Sequence, residues 1–152
     1  MTARVNAKST ADEVLAGIDL RGKRFLITGA SSGIGLETAR ALVSRGANVV
    51  GASVGGLAEA ERTMAAVRDA ASQGDGKLDL IQLDLGSLRN VRDCADKLLA
   101  AGERFDVIIA NAGIMAPPLD HTVDGFERQF AINFLGHFAL LKWLEPLIVD
   151  DG

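Results

Sequence analysis

The stretch Thr28-Gly29-Ala30-Ser31-Ser32-Gly33-Ile34-Gly35 decides the fold. It follows a short apolar run, Phe25-Leu26-Ile27, and leads into a segment with helical spacing. Strand, glycine turn and helix start, in that order, make a place where a phosphate can sit. Glycines permit positive φ and close backbone approach to a ligand. Free N–H groups and the positive end of the helix dipole then face the anion. Ser31 and Ser32 add hydroxyl donors. The spacing is G-x-x-x-G-x-G, not the commoner G-x-G-x-x-G, and no Lys-Ser/Thr ending follows, so ATP or GTP hydrolysis on a P-loop is disfavoured. The bland alternative is a flexible turn with incidental glycines. Agreement of strand, spacing and helix weighs against it.

Outward from this turn the chain alternates short apolar runs with helical stretches. Further strands are expected at Asn48 to Ala52, Leu78 to Leu83 and Val107 to Ala110. The nearly continuous apolar character of the first, second and fourth runs suits strands covered on both faces. Ile34, Ala41 and Leu42 share one helical face. Leu57, Ala60, Met64, Val67 and Ala71 step by 3, 4, 3, 4, and Leu88, Val91, Ala95 and Leu98 step by 3, 4, 3 behind Ser87 as an N-cap. A last helix is expected from Phe126 to about Ile148, with Phe126, Phe130, Phe134, Phe138 and Leu141 as a core or interface stripe. The pattern predicts an α/β fold, a three-layer doubly wound parallel sheet. Residues 1–21 read as an arm or irregular first helix, 22–152 as the domain, and Asp150-Asp151-Gly152 as a solvated turn. Pattern alone does not order the strands.

Composition sets bounds. The chain has 152 residues, 48% apolar and 24% charged, which suits one globular domain. With 16 basic and 20 acidic residues its formal charge is −4, which offers no footprint for nucleic acid or anionic lipid. No apolar run approaches the roughly 18 residues of a membrane span, and the N-terminus lacks an uninterrupted secretory core. A single cysteine, Cys94, excludes an internal disulfide and fits a reducing, cytoplasmic setting. Its neighbours Asp93 and Asp96 discourage a thiolate. Two histidines, His121 and His137, cannot build a His-rich metal site, and no metal is expected. His137 reads as a helix-packing residue.

The sequence resembles the short-chain dehydrogenase/reductase family. The family's T-G-x-x-x-G-I-G turn matches Thr28, Gly29, Gly33, Ile34 and Gly35. Asp84-Leu85 looks like its adenine-holding pair, Asn111-Ala112-Gly113 like its N-A-G motif, and Asn133 like the helix asparagine of its catalytic set. The stretch around Asn133 is most similar to the retinol-dehydrogenase-like and related bacterial branch, and the resemblance runs from Gly22 to Ile148. It implies a Rossmann fold, incomplete on its C-terminal side, and hydride transfer between a nicotinamide dinucleotide and an alcohol or ketone. Gly29, Ser31, Ser32, Gly33, Ile34 and Gly35 would wrap phosphates and adenosine ribose. Asp84 and Leu85 would hold the adenine. Asn111, Ala112 and Gly113 would border the nicotinamide ribose. Asn133 would help place a water and the family's lysine. Each has a plainer alternative: Asp84 a turn acid, Asn111 to Gly113 a plain turn, Asn133 a satisfied core amide.

An NAD-preferring site usually carries an acid about 20 residues past the glycines. Ser53 stands there instead, and Val54 occupies the place of an arginine common in NADP-preferring relatives. Ser53 can bond a ribose hydroxyl or a phosphate oxygen, whereas Glu59 opposes a 2′-phosphate. The balance leans to NADP. The family's general acid/base tyrosine and its lysine have no counterpart, since the chain contains no tyrosine. The sequence therefore reads as the nucleotide-binding half of an oxidoreductase, catalytic only when completed. Its fourth strand would be an open edge, and self-association into a homo-oligomer is expected. The rivals are a non-catalytic nucleotide-binding module or interaction subunit and, more weakly, a methyltransferase. Ile114 to Pro118 suggests an apolar substrate rim.

Overall fold

The structure is a computed structural model that describes residues 5–149. Its order is α1 (Ala11–Val14), β1 (Arg24–Thr28), α2 (Gly33–Val43), β2 (Asn48–Ser53), α3 (Leu57–Thr63), α4 (Ala65–Gln73), β3 (Lys77–Gln82), α5 (Leu88–Ala101), β4 (Val107–Ile109) and α6 (Arg128–Phe130). A π-helical turn at Ala131–Leu135 joins α6 to α7 (Gly136–Leu144). The four strands form a parallel sheet in the order β3-β2-β1-β4. The order reverses between β1 and β4. Crevices at such a reversal, outside the carboxyl ends of the strands, are where open α/β sheets take ligands.

Alternate side chains of the central strands enter opposite layers. Phe25, Ile27 and Val49 pack with Leu42 and Val43 of α2, Met64, and Val67 and Ala71 of α4. Leu26 and Val50 pack with Val91, Ala95 and Leu98 of α5 and Leu140 and Leu144 of α7. Burial on both faces explains why β1 and β2 read as unbroken apolar runs. Edge strand β3 alternates instead, with Leu78 buried between exposed Lys77 and Asp79. The three-layer doubly wound architecture is as expected.

Several local expectations are corrected. The helix after β2 breaks at Met64, whose φ of −99° and ψ of 12° end α3 and open α4. Met64 is buried at the bend, so Ala60 faces inward from one segment and Val67 and Ala71 from the next, while Leu57 is left half exposed. Ile34 leaves the stripe assigned to it: it is 79% exposed, while Ala41 and Leu42 are buried. The last helical segment starts at Arg128, not Phe126. The Glu127 carboxylate accepts from the N–H groups of Gln129 and Phe130 and fixes that start. Phe126, Phe130, Phe134 and Phe138 are 40 to 59% exposed, so the stripe is no part of the core.

Residues 11–14 form one turn closed by a capping box between Thr10 and Glu13. Asp12 pairs with Arg40 on α2 at 2.9 Å, which lays the N-terminal segment along that helix. At the other end Phe105 N–H donates to Leu147 O at 2.7 Å and Val149 N–H to Phe105 O at 3.0 Å, an isolated parallel bridge just before β4. Residues 150–152 lie outside the described residues.

Candidate functional site

A cleft of about 480 Å³ opens at the β1–β4 reversal, within the size range of small-molecule sites. Its wall is drawn mainly from three segments. The glycine turn gives Gly29, Ser31, Ser32, Gly33 and Ile34. The end of β3 gives Leu83, Asp84 and Leu85, and the end of β4 gives Asn111, Ala112, Gly113 and Ile114. Val54, Arg128 and Ile132 complete it. Of the thirteen residues picked from sequence, ten line this cleft; Gly35, Ser53 and Asn133 do not.

The turn is shaped by its glycines. Gly29 and Gly33 have φ of +67° and +53°, a left-handed backbone that costs other L-residues about 1–2 kcal/mol. Gly35 is fixed by close approach instead. A Cβ there would stand 2.3 Å from Gly29 O and 2.5 Å from Asn111 Nδ2. Ser32 occupies the N-cap of α2 but makes no side-chain hydrogen bond to the first-turn amides, and no acid lies in that turn. Those amides are open to an anion. A pyrophosphate therefore fits the residues present.

Beneath the turn, Thr28 closes the sheet end. Fully buried, its Oγ1 accepts from the N–H groups of Asn111 and Ala112, both at 3.0 Å. Asn111 Nδ2 donates to Thr28 O at 2.9 Å. Asn111 thus ties β4 to β1, and its side chain acts inward. The third oxygen contact of Thr28 is His137 Nε2, at 2.8 Å. His137 is buried, and burial lowers its pKa from the ordinary imidazole value.

At the β3 end the Asp84 carboxylate accepts from Gly86 N–H at 2.8 Å, and Asp84 N–H donates to Asn90 Oδ1 at 2.7 Å. Asp84 is both the expected turn acid and a cleft residue. Ser87 caps α5 as expected, accepting from Asn90 N–H. At the β2 end Ser53 is buried and donates to Ser31 Oγ at 3.0 Å. Ser53 therefore reaches the cleft through Ser31. Glu59 folds back over Gly55: a Cβ on that glycine would meet Glu59 Oε2 at 3.0 Å and Ser53 Oγ at 3.8 Å.

Asn133 sits in the π-helical turn. Its Oδ1 accepts from Ile114 N–H at 2.9 Å and its Nδ2 donates to Ile114 O at 2.8 Å. The amide is satisfied, but the residue is exposed rather than in the core. It clamps the loop after β4. Sequence reading missed Gln129, whose Oε1 accepts from Ala116 N–H at 2.6 Å in the same loop. It also missed Gly136, where a Cβ would lie 2.5 Å from Leu85 O, so α7 can approach the loop after β3. Arg128, paired with Asp120 at 2.9 Å, was missed as well. None of these three carries a spacing signal. Cys94 is buried, and burial pushes its thiol up to about 11, which leaves it without chemistry.

A sequence profile of the short chain dehydrogenase family matches residues 23–152. The chain belongs to that family. It is 40% identical over 151 residues to the short-chain dehydrogenase/reductase prx1 of Penicillium roqueforti, covering 97% of this chain and 43% of that protein. It is 42% identical to mouse retinol dehydrogenase 14 over 141 residues, covering 88% and 42%. A crystal structure of an uncharacterized protein from Mycobacterium paratuberculosis superposes with a TM-score of 0.72 at 40% identity, covering 93% of this chain and 47% of that one. The Pseudomonas aeruginosa RhlG/NADP active-site complex superposes with a TM-score of 0.68 at 28% identity, covering 85% and 49%. The chain thus spans less than half the length of these relatives. Among the described residues no helix is long and apolar enough to cross a membrane.

Proposed function

We propose that residues 22–152 are the nucleotide-binding half of an NAD(P)-dependent oxidoreductase acting on an alcohol or ketone, with residues 1–21 as an N-terminal arm. One observation carries the reading: the uncapped first turn of α2 opens onto a cleft bordered by Gly29, Gly33, Asp84 and Asn111. When bound, the dinucleotide would supply hydride transfer. The chain's residues do the holding. First-turn amides and the Ser31 and Ser32 hydroxyls take the pyrophosphate side. Asp84 and Leu85 take the adenine side, and Ala112 and Gly113 give the nicotinamide ribose room beside bare backbone. Asn133, as the family asparagine, acts through the Ile114 clamp.

The absence of tyrosine supports a chain that binds but does not turn over until completed by a proton-transferring half. The same absence favours the second reading, a nucleotide-binding module without catalysis. Purified chain should bind NADPH saturably and show no oxidation of it with a panel of aldehydes. A version extended to the length of its relatives separates the readings, since only the first predicts turnover there. Failure of the chain to bind either dinucleotide would remove both.

NADP is the preferred cofactor on this reading, because no acid ends β2 and the Ser31–Ser53 hydroxyl pair stands in its place. Glu59 limits the margin. The exposed Phe130, Phe134 and Phe138 support a homo-oligomer, and the single buried Cys94 supports a reducing, cytoplasmic location.

A further inference from the structure

The Thr28 hydroxyl has one hydrogen to give and two lone pairs to receive with. Both lone pairs are taken, by the N–H groups of Asn111 and Ala112 at 3.0 Å each. The 2.8 Å contact to His137 must then be made by the hydroxyl's own hydrogen, with Nε2 as acceptor. An imidazole nitrogen that accepts carries no proton, so the proton of the neutral ring is on Nδ1. There it donates to Asn133 O at 3.3 Å. Hydrogen-bond counting therefore fixes both the tautomer and the charge of His137.

We propose that His137 is a positioning residue for the dinucleotide cleft: as a neutral, Nδ1-protonated imidazole it takes the Thr28 hydroxyl hydrogen and thereby frees both Thr28 lone pairs to hold the Asn111 and Ala112 amides. The proposal rests on the dinucleotide reading for its consequence, though not for its geometry. A protonated ring would point a second N–H at an oxygen that has no lone pair left. Thr28 would have to release one of the two amides, and with it the wall formed by residues 111–113.

Among the described residues the ring has no charged partner. Thr28 of β1 faces Nε2, and the carbonyls of Asn133 and Ile132 face the other side. On α5, which packs against α7, Cys94 is a buried thiol held neutral, and Arg92 is engaged over the Trp143 ring at 5.1 Å. Burial outweighs the two carbonyls, and the pKa of His137 falls below the ordinary value. The sign follows. The unfolded chain takes up a proton near pH 6.5 while the folded chain does not. Stability is thus fully present above about 6.5 and is lost as pH falls from there toward the lower native value.

The test combines imidazole 15N shifts, amide hydrogen exchange and dinucleotide titration. At pH 8 the wild-type ring should show a pyridine-like Nε2 and a pyrrole-like Nδ1. Lowering the pH below 6.5 should reduce the hydrogen-exchange protection factors of Asn111 and Ala112, measured against the intrinsic rate at each pH, and weaken NADPH binding. His137→Gln keeps an acceptor without a titrating proton; it should bind within about threefold of wild type at pH 8 and lose the acid limb. His137→Leu should bind about tenfold more weakly at every pH, the scale of one lost buried hydrogen bond. A pyrrole-like Nε2 in the wild type overturns the proposal whether or not any variant folds. So does an unchanged acid limb in His137→Gln. Absence of NADPH binding at all pH values would sink the functional reading, while the 15N shifts and exchange rates would still decide the role of His137.

Discussion

Replacing Gly35 with alanine puts the packing of the glycine turn under direct strain. The added Cβ would fall 2.3 Å from Gly29 O and 2.5 Å from Asn111 Nδ2. Neither neighbour yields easily. The carbonyl belongs to the turn backbone, and the amide is tied to Thr28 O at 2.9 Å. Relief needs a shift of about 1 Å, and overpacking of this kind costs about 1–3 kcal/mol. Loss of the Asn111 hydrogen bond adds about 1 kcal/mol, giving about 2–4 kcal/mol in all. That is a large part of a typical domain's stability, and near 150 residues it lowers the melting temperature by roughly 4–16 °C. Gly33→Ala is the matched control. It has a φ of +53°, yet its Cβ meets nothing within 4 Å, so its cost is the left-handed backbone alone, about 1–2 kcal/mol. Because Gly33 lines the cleft, that methyl should weaken dinucleotide binding at least tenfold while the fold survives. Urea unfolding followed by the single Trp143, alongside NADPH titration, reads both. If Gly35→Ala stays within 0.5 kcal/mol of the parent, the turn is not packed as described.

Asn133→Ala removes both hydrogen bonds to Ile114. It should cost only about 1 kcal/mol, because water reaches the loop, but should speed amide exchange at Ile114; unchanged exchange would contradict the clamp. Glu59→Gln removes a like charge beside the Ser53 end of β2, so NADPH affinity should rise roughly twofold to fivefold and NADH affinity stay level, as paired titrations would reveal. Cys94, with its thiol pushed up to about 11 by burial, should resist maleimide at pH 8 in the native chain and react at once in denaturant. Sedimentation should show self-association that Phe134→Ser weakens; a monomer at all concentrations would speak against the oligomer.

What could be read in the sequence is what a short segment encodes by itself. Phe25-Leu26-Ile27 and Asn48-Val49-Val50 announce buried strands because both faces are covered. The glycine turn announces its geometry because few residues tolerate those angles. Ser87 announces a cap, and the structure supplies it. What could not be read depends on partners distant in the chain. Met64 breaks a run whose apolar period continues straight through the bend. The phenylalanine stripe keeps helical spacing on a face that nothing among the described residues covers. Ser53 and Asn133 stand outside the cleft wall because their side chains bond Ser31 and Ile114, 22 and 19 residues away. His137 looks like filler until Thr28, 109 residues earlier, is placed against it. Strand order belongs to the same class, since it is set by crossovers rather than by strand composition.

The central claim is that a dinucleotide lies across the carboxyl ends of β1 and β4 with its pyrophosphate on the first turn of α2. An amide-resolved NMR titration of the 15N-labelled chain with NADPH tests it most directly. Saturable shifts are predicted, largest at Gly33, Ile34 and Gly35, with a second set at Asp84 and Leu85 and a third at Asn111 to Gly113. Shifts that fail to saturate, or that gather away from these three segments, would contradict it.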